Sequence, residues 1–437
     1  MEWWVYLLAF FSGLGVLLLI GLPVAFAFML VNLVGVYFLW GGVSGFNQII
    51  LSIESSISTF VLVPVPMFVL MGAIMFHSGI ARKMIEVLDH WIGFIAGRLA
   101  VLAILTGAVL GALTGVAMGS VAILGSTLVP EMRQRAYAKS MMLGPILASG
   151  SLAILIPPST LAIILASLGG FSVAKILIAI VVPGLLLAVM YASYIVVRCT
   201  LNPELAPPYE VPHVPMAQRL RETAIHLLPP ISVIVFVIVS IFFGVATPTE
   251  AAALGAFATF VLAGLYGKLS WSVLRSGIGS ATSLSIMVLI ILTGSAGFSQ
   301  LLSFSGVTTA ITSFATDLPV HPLVLLLLMQ LVVIFLGMFL EQTSIILVTV
   351  PIFLPIIKAM GWDPIWFGTI MMLNLEMATI TPPFGLSLFV MKGIAPPSVT
   401  IGDIYKAAVP FIMINLLLMV LMVFFPDIVL WLPSLMD

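Results

Sequence analysis

One cysteine in 437 residues, Cys199, leaves no partner for an internal disulfide and no thiolate set for a metal cluster. Charge is scarce too: Asp, Glu, Lys and Arg make up 7% of the chain, with a formal balance of −1. So even a balance offers no basic surface for nucleic acid and no acidic surface for a cationic partner. No HExxH, GxSxG or GxxxxGK[ST] string occurs, so metalloprotease, serine-hydrolase and P-loop ATPase chemistry lack their reagents. The opening MEWWVYLLAFFSGLGVLLLIGLPV has no basic segment of the kind that begins a secretory signal. Its Trp3, Trp4 and Tyr6 match an interfacial belt, and the stretch reads as a first span. What the chain has in quantity is apolar residues, 62% of the total, which places it in the lipid bilayer as an all-α polytopic membrane protein.

Between Arg98 and Glu131 no residue is charged. As one straight helix this interval would be roughly 48 Å long against a hydrocarbon core of roughly 30 Å, while two full crossings need about 40 apolar residues. The spacing therefore predicts a re-entrant hairpin over 98–135, reaching mid-depth and returning to the same side. Arg98 precedes it and Arg133, Arg135 and Lys139 follow it, which puts both ends on the cytoplasmic face. Its middle, LTGVAMGS (Leu113–Ser120), supplies Gly, Thr and Ser for a turn that lines a polar cavity. Gly107, Gly111, Gly115 and Gly119 also recur four apart, the spacing of a helix-packing stripe, which the hairpin arms can use whatever the tip does.

In chain order, spans are expected at about 3–20, 24–40 and 56–76, the first two joined by a tight turn at Gly21 and Pro23. GIARKMIEVLDHWIG is amphipathic and predicts a helix lying along the membrane surface within 79–97. His90 in it reads as a solvated residue, having no partner at metal spacing. A broken membrane segment (140–170) follows the hairpin. Pro157 and Pro158 interrupt it, freeing carbonyls at mid-depth that protein, water or an ion must satisfy. A span at 173–198 leads to a polar, Pro-rich cytoplasmic linker at 199–222. Beyond it are expected scaffold spans within 223–304 (about 227–243, 249–265 and 279–302), a second surface arm (305–320) and a second hairpin (322–360) interrupted by GMFLEQTS. A second broken segment (364–394) around TPPFG and a last span within 402–433 complete the chain.

Pro130 and Pro355, Pro157 and Pro382, and Pro23 and Pro248 are each separated by 225 residues, which points to an internal duplication of 1–198 in 223–437. Counting crossings makes the two copies inverted. With the first hairpin cytoplasmic, all of the 15 Lys and Arg except Lys175 and Lys358 fall inside, as the positive-inside rule demands, and both termini face outward.

Paired hairpins and paired broken helices in an inverted repeat form a secondary-transporter plan. Broken helices present carbonyls and hydroxyls that can coordinate Na⁺, and hard oxygen ligands argue against a transition metal. One candidate set is Thr114, Gly115 and Ser120 with Ser149 and Ser151; the other is Glu341, Thr343 and Ser344 with Thr379 and Thr381. Glu341 and Glu376 lie at apparent mid-depth, where a charge costs on the order of 3 kcal/mol, so each needs a cavity, a cation, a partner or a proton. Glu341, beside a hairpin turn, is the ion candidate. Glu376 reads either as an ion ligand or as a protonated, hydrogen-bonded structural residue. Glu250 in ATPTEAAALGAF sits near a helix N-terminus, where its charge is favourable. No mid-depth arginine is evident for a substrate carboxylate, which leaves helix ends and hydroxyls at Pro158, Ser159, Pro383 and Ser387.

FGVATPTEAAALGAF (Phe243–Phe257), the GMFLE tip, TPPFGLSLFV (Thr381–Val390) and IPPS (Ile156–Ser159) together resemble the large membrane subunit of tripartite ATP-independent periplasmic transporters. The resemblance covers essentially the whole chain, with four motifs in family order. It implies a Na⁺-driven importer of organic acids working as an elevator, of the ion-transporter-superfamily type, in a bacterial inner membrane. It also implies a periplasmic binding protein that delivers the substrate and a small four-helix membrane subunit that braces the scaffold. Ser120 stands where family members often carry an acid, and Glu341 where they often carry Asp, so the first cation site is built from carbonyls and hydroxyls alone. Two other readings make different demands. A binding-protein-independent exchanger or channel would transport without a partner, and a purely structural subunit would not need polar groups at both tips and both breaks.

Overall fold

In lipid a backbone must satisfy its own hydrogen bonds, so apolar runs become helices and Gly or Pro marks their ends. The computed structural model describes residues 2–93, 95–114, 117–209 and 214–436, with the side chains of all of these except 112–114 and 117. Helices α1 (Trp3–Leu19) and α2 (Val24–Leu39) are joined at Gly21, whose φ of +89° suits glycine, and at Pro23. A helix not anticipated from hydropathy follows, α3 (Val43–Ile57). The expectation of a span beginning at residue 56 is thereby corrected. Ser56 and Ile57 close α3, Thr59 caps a 3₁₀ turn at Phe60–Leu62, and α4 (Pro64–His77) starts at a proline, whose missing N–H costs nothing in a first turn.

The amphipathic stretch forms α5 (Ile80–Ile92), which buries Met84 and Val87. Asp89 there accepts from the buried Arg98 guanidinium at 2.6 Å. His90 is not simply solvated: it is half-buried and pairs with Glu222 at 2.8 Å, because the end of the linker packs against α5. Trp91 Nε1 donates to Thr223 Oγ1 in the same contact.

Helices α6 (Arg98–Thr114) and α7 (Ala117–Gln134) flank the glycine-rich middle of the charge-free interval. Then come α8 (Lys139–Leu155) and α9 (Thr160–Gly169), bent by 47° across the Pro157–Pro158 break. Gly107 and Gly111 let α6 approach α8 closely, since a Cβ on either would meet backbone of Ser149 or Ala153 at 2.9 Å. The expected span at 173–198 is met by one apolar span, Val173–Leu201, made of α10 (Val173–Ala179) and α11 (Val181–Leu201) with Pro183 in the first turn of the second. The linker therefore starts after Leu201. It folds back on the base of α7: Leu205 O accepts from Ala138 N at 3.0 Å, and the Tyr209 ring lies 3.6 Å from the Arg135 guanidinium.

Helix α12 (Met216–Glu222) continues through a π turn into α13 (Leu228–Phe242). In α14 (Pro248–Leu265) Thr247 and Glu250 form a capping box, the hydroxyl and N–H of Thr247 both donating to Glu250 Oε2 at 2.8 Å. Helix α15 (Trp271–Phe304) has 34 residues, two turns more at its start than its apolar run suggests. It is followed by α16 (Val307–Asp317), α17 (Pro322–Gly337), α18 (Gln342–Ala359), α19 (Pro364–Thr379), α20 (Leu386–Ile394), α21 (Ile401–Phe424) and α22 (Asp427–Ser434). The last of these was not anticipated as a separate helix.

Among the described residues, seven helices are long and apolar enough to cross a membrane. Helices α8 and α19 form the centre: every residue from Met141 to Leu155 and from Ile365 to Thr379 is buried. Around them pack α6, α7, α11, α17, α18 and α21. Helix α15 lies to one side, against α2, α3 and α4, while α4 also packs directly on α6 and α9.

Candidate functional site

Two cavities open between α15 and the pair α9 and α18. The first, about 470 Å³, brings together the start of α2, Met118 of α7, the first turns of α9 and the Glu341–Ser344 turn. Its polar end is formed by Thr160, Glu341, Gln342, Thr343 and Ser344. The opposite wall, Phe26 with Met287, Val288 and Ile291 of α15, is apolar. The second cavity, about 680 Å³, carries a serine ladder, Ser295, Ser299 and Ser303, opposite Ser55 and Ser56. Ser295 Oγ donates across to Leu347 O of α18 at 3.4 Å.

Glu341 caps α18. Its Oε1 accepts from the backbone N–H of Thr343 at 3.1 Å and from the Thr343 hydroxyl at 2.8 Å. A carboxylate held at a helix N-terminus is stabilised there as an anion, and the adjacent cavity leaves it room to meet a cation. Thr343 and Ser344 are buried beside it.

Ser120, Ser149 and Ser151 do not line this cavity. Ser120 is buried in the first turn of α7; Gly115 lies outside the described residues, as does the side chain of Thr114. Ser149 turns its hydroxyl onto Ile146 O of its own helix at 2.6 Å. Ser151 is buried and its hydroxyl faces the Tyr191 phenol without reaching hydrogen-bond geometry with any group among the described residues. Ser159 caps α9, accepting from Ala162 N, and places the first turn of that helix at the cavity.

At the second break the chain doubles back on Gly385, where a Cβ would lie 2.9 Å from Thr381 O, so carbonyl oxygens of Thr379 and Thr381 converge beside it. Thr379 Oγ1 donates to Glu376 O at 2.8 Å and accepts from Ser387, while Thr381 Oγ1 donates to Met377 O. By donating, the Thr381 hydroxyl keeps its lone pairs for a cation, and the Thr379 hydroxyl keeps one beside the bond it accepts from Ser387. Pro158 and Pro383 each follow a cis peptide, and Pro383 O accepts from the Tyr405 hydroxyl at 2.6 Å.

Glu376 is fully enclosed, and neither carboxyl oxygen has a hydrogen-bond partner among the described residues. The Gln342 amide faces it without reaching hydrogen-bond geometry, which makes Gln342 a link between that carboxyl and the cavity. Thr160 and Gln342 were not among the candidates read from the sequence. The signal for both was position, one immediately after Pro-Pro-Ser and one between Glu341 and Thr343.

Comparison with known proteins extends these observations. Residues 11–428 match the family described as tripartite ATP-independent periplasmic transporter, DctM component. The chain is 34% identical over 378 residues to the C4-dicarboxylate TRAP transporter large permease protein DctM of Pseudomonas aeruginosa, covering 86% of each chain. It is 31% identical to the ectoine/5-hydroxyectoine TRAP transporter large permease protein UehC of Ruegeria pomeroyi, covering 96% of this chain and 97% of that one. Its fold is similar to the solved structure of MtrF from Neisseria gonorrhoeae, with a TM-score of 0.64 at 14% identity over 89% of this chain and 85% of that one.

Proposed function

The chain belongs to the DctM component family of tripartite ATP-independent periplasmic transporters, and on that premise we propose that it is the large permease of a Na⁺-driven importer of small organic acids. It is a multi-pass inner-membrane protein and not an enzyme. In this reading a periplasmic binding protein delivers the solute and a small four-helix membrane subunit braces the scaffold. The named substrates of the relatives, C4-dicarboxylates and ectoines, support a small organic solute.

The observation that carries the reading is the 470 Å³ cavity in which Glu341, Thr343 and Ser344 face the start of α9. Na⁺ is held by the Glu341 carboxylate with the Thr343 and Ser344 hydroxyls, together with the oxygens gathered at Thr379 and Thr381. The second cation takes the oxygens of Thr114, Gly115, Ser120, Ser149 and Ser151. A solute carboxylate lies toward the first turn of α9, near Pro158 and Ser159, and Pro383 and Ser387 are the corresponding groups at the second break. Residues 1–198 and 223–437 act as inverted repeats. The hairpin and broken helices of each move together against α1–α4 and α13–α16, and a cavity on either half of α15 supports such an elevator.

Uptake into proteoliposomes tests this directly. It is expected only with an inward Na⁺ gradient, the small subunit and a loaded binding protein together. Na⁺-independent uptake by this chain alone would replace the reading with that of a channel or exchanger.

A further inference from the structure

The end of the linker and the turn between α14 and α15 meet at one edge of the face that charge places in the cytoplasm, and three side-chain contacts pin them there. Glu222 at the end of α12 meets His90 Nδ1 at 2.8 Å, Thr223 of the π turn (Thr223–Leu227) accepts from Trp91 Nε1 at 2.7 Å, and the Tyr266 hydroxyl donates to Ile225 O. Beside them α15 packs on the end of α4, where a Cβ on Gly277 would meet Ile74 at 2.6 Å. The end of α4, α5, α12 and the α14–α15 turn thus form one continuous edge. Arg82, Arg219, Arg221, Lys268 and Arg275 sit on it, and none of them has an ion pair among the described residues. The acids of the same elements, Glu86, Asp89 and Glu222, are already engaged by Lys83, Arg98 and His90. Glu210, outside the described residues, would offset only a single one of these charges. Arg219 Nε is enclosed with no acceptor, and a buried donor of this kind calls for one. Apolar side chains adjoin the charges: Leu220 on α12, Leu228 at the start of α13, Leu265 at the end of α14 and Trp271 at the start of α15 are all exposed.

Unpaired cations beside exposed leucine and tryptophan mark a level in the membrane, with the apolar groups among acyl chains and the cations among headgroups. An acidic protein segment or a free anion would answer the charge alone. An anionic phospholipid answers both, because its phosphate and its chains are joined in one molecule. We propose that this edge binds an anionic phospholipid of the inner membrane, its phosphate held by Arg219 and Arg221 of α12 with Lys268, and its chains lying against Leu228 and Leu265. Guanidinium groups suit the phosphate because their paired N–H groups match two of its oxygens. Arg82 and Arg275 flank the position and add attraction, each basic residue near a membrane surface contributing about fivefold in affinity. The bound headgroup ties α12, and through His90 and Trp91 the surface helix α5, to the end of α14.

Native mass spectrometry of the full chain with its small subunit tests this without any transport. The complex in detergent is titrated with phosphatidylglycerol or with zwitterionic phosphatidylcholine, and the occupancy of the first bound lipid is read. Phosphatidylglycerol is expected to bind at least about tenfold more tightly than phosphatidylcholine. Arg219→Gln together with Arg221→Gln should remove at least about fivefold of that preference, while Arg219→Lys together with Arg221→Lys, which keeps the charge, should retain most of it. Arg133→Gln removes an exposed cation at the base of the first hairpin, away from this edge, and should change nothing. Equal binding of the two lipids, an unaltered preference in the double glutamine variant, or an equal loss in Arg133→Gln overturns the proposal. A preference seen only when the small subunit is stripped away assigns the edge to that subunit and overturns it too.

Discussion

The carboxylate of Glu341 accepts from both the N–H and the hydroxyl of Thr343, so deleting it removes a helix cap and a charge in one change. Loss of the cap costs about 1 kcal/mol, which a bundle of this size tolerates. Loss of the charged ligand proposed for Na⁺ would be larger: on the order of 1.5–3 kcal/mol, or about 10- to 100-fold in affinity. Glu341→Ala is therefore expected to raise the Na⁺ concentration for half-maximal uptake at least about tenfold while changing the thermal melt little. An unaltered Na⁺ dependence would take Glu341 out of the cation site. Glu376 shows the limit of reading single residues from sequence. Its depth was apparent from the apolar text around it, but the amide facing it belongs to Gln342, 34 positions earlier and on another helix, and no local pattern announces that pairing. Ser149 shows the same limit from the other side, since a hydroxyl that bonds back to its own helix looks no different in sequence from one aimed at an ion.

Close approach of α6 to α8 depends on two glycines. Gly111→Val would drive a side chain into the Ala153 backbone, a clash that repacking of flexible neighbours cannot relieve, and the expected cost is about 3 kcal/mol. Gly264 in α14 has nothing within 4 Å of an added Cβ, so Gly264→Ala should be neutral or slightly stabilising. Melting of the two variants in detergent checks the contrast. Equal stability would mean that α6 and α8 are not packed through Gly111. The packing was foreseeable because glycines four apart share a helix face, and the α8–α9 bend because two prolines cannot both continue a helix. Helix α3 was not foreseeable from apolar run length, because Ser44, Asn47, Gln48, Ser52 and Glu54 dilute its hydropathy. Ser52 finds its partner in Gln300, 248 residues away. Helix α15 gained two turns for a related reason: a segment with Ser, Arg and Gly ends an apolar run without ending a helix. Elements set by local chemistry were thus legible, whereas those set by distant partners were not, including the contact of His90 with Glu222.

Large apolar side chains cover the outside of the molecule. Leu19, Phe38, Phe60, Leu265 and Trp271 are nearly bare, as a chain surrounded by lipid and a membrane partner requires. Charge placement then governs orientation, because Lys and Arg resist translocation. Ile95 and Arg133, exposed at the two ends of the first charge-free interval, are expected on the cytoplasmic face. His321 and Lys358, exposed at the ends of the second long apolar interval, which carries Glu341 in its middle, are expected on the periplasmic face. Cys199 is buried, so its reaction with a membrane-impermeant maleimide should be small, and Cys199→Ser removes it. In that background His321→Cys and Lys358→Cys should label in intact cells, and Ile95→Cys and Arg133→Cys only after the inner membrane is opened. Labelling Ile95→Cys and Arg133→Cys in different compartments would turn the first hairpin into a crossing. All four reacting from one side would keep the hairpins but cancel the inversion between 1–198 and 223–437, and with it the alternating exposure that the two cavities along α15 are proposed to serve.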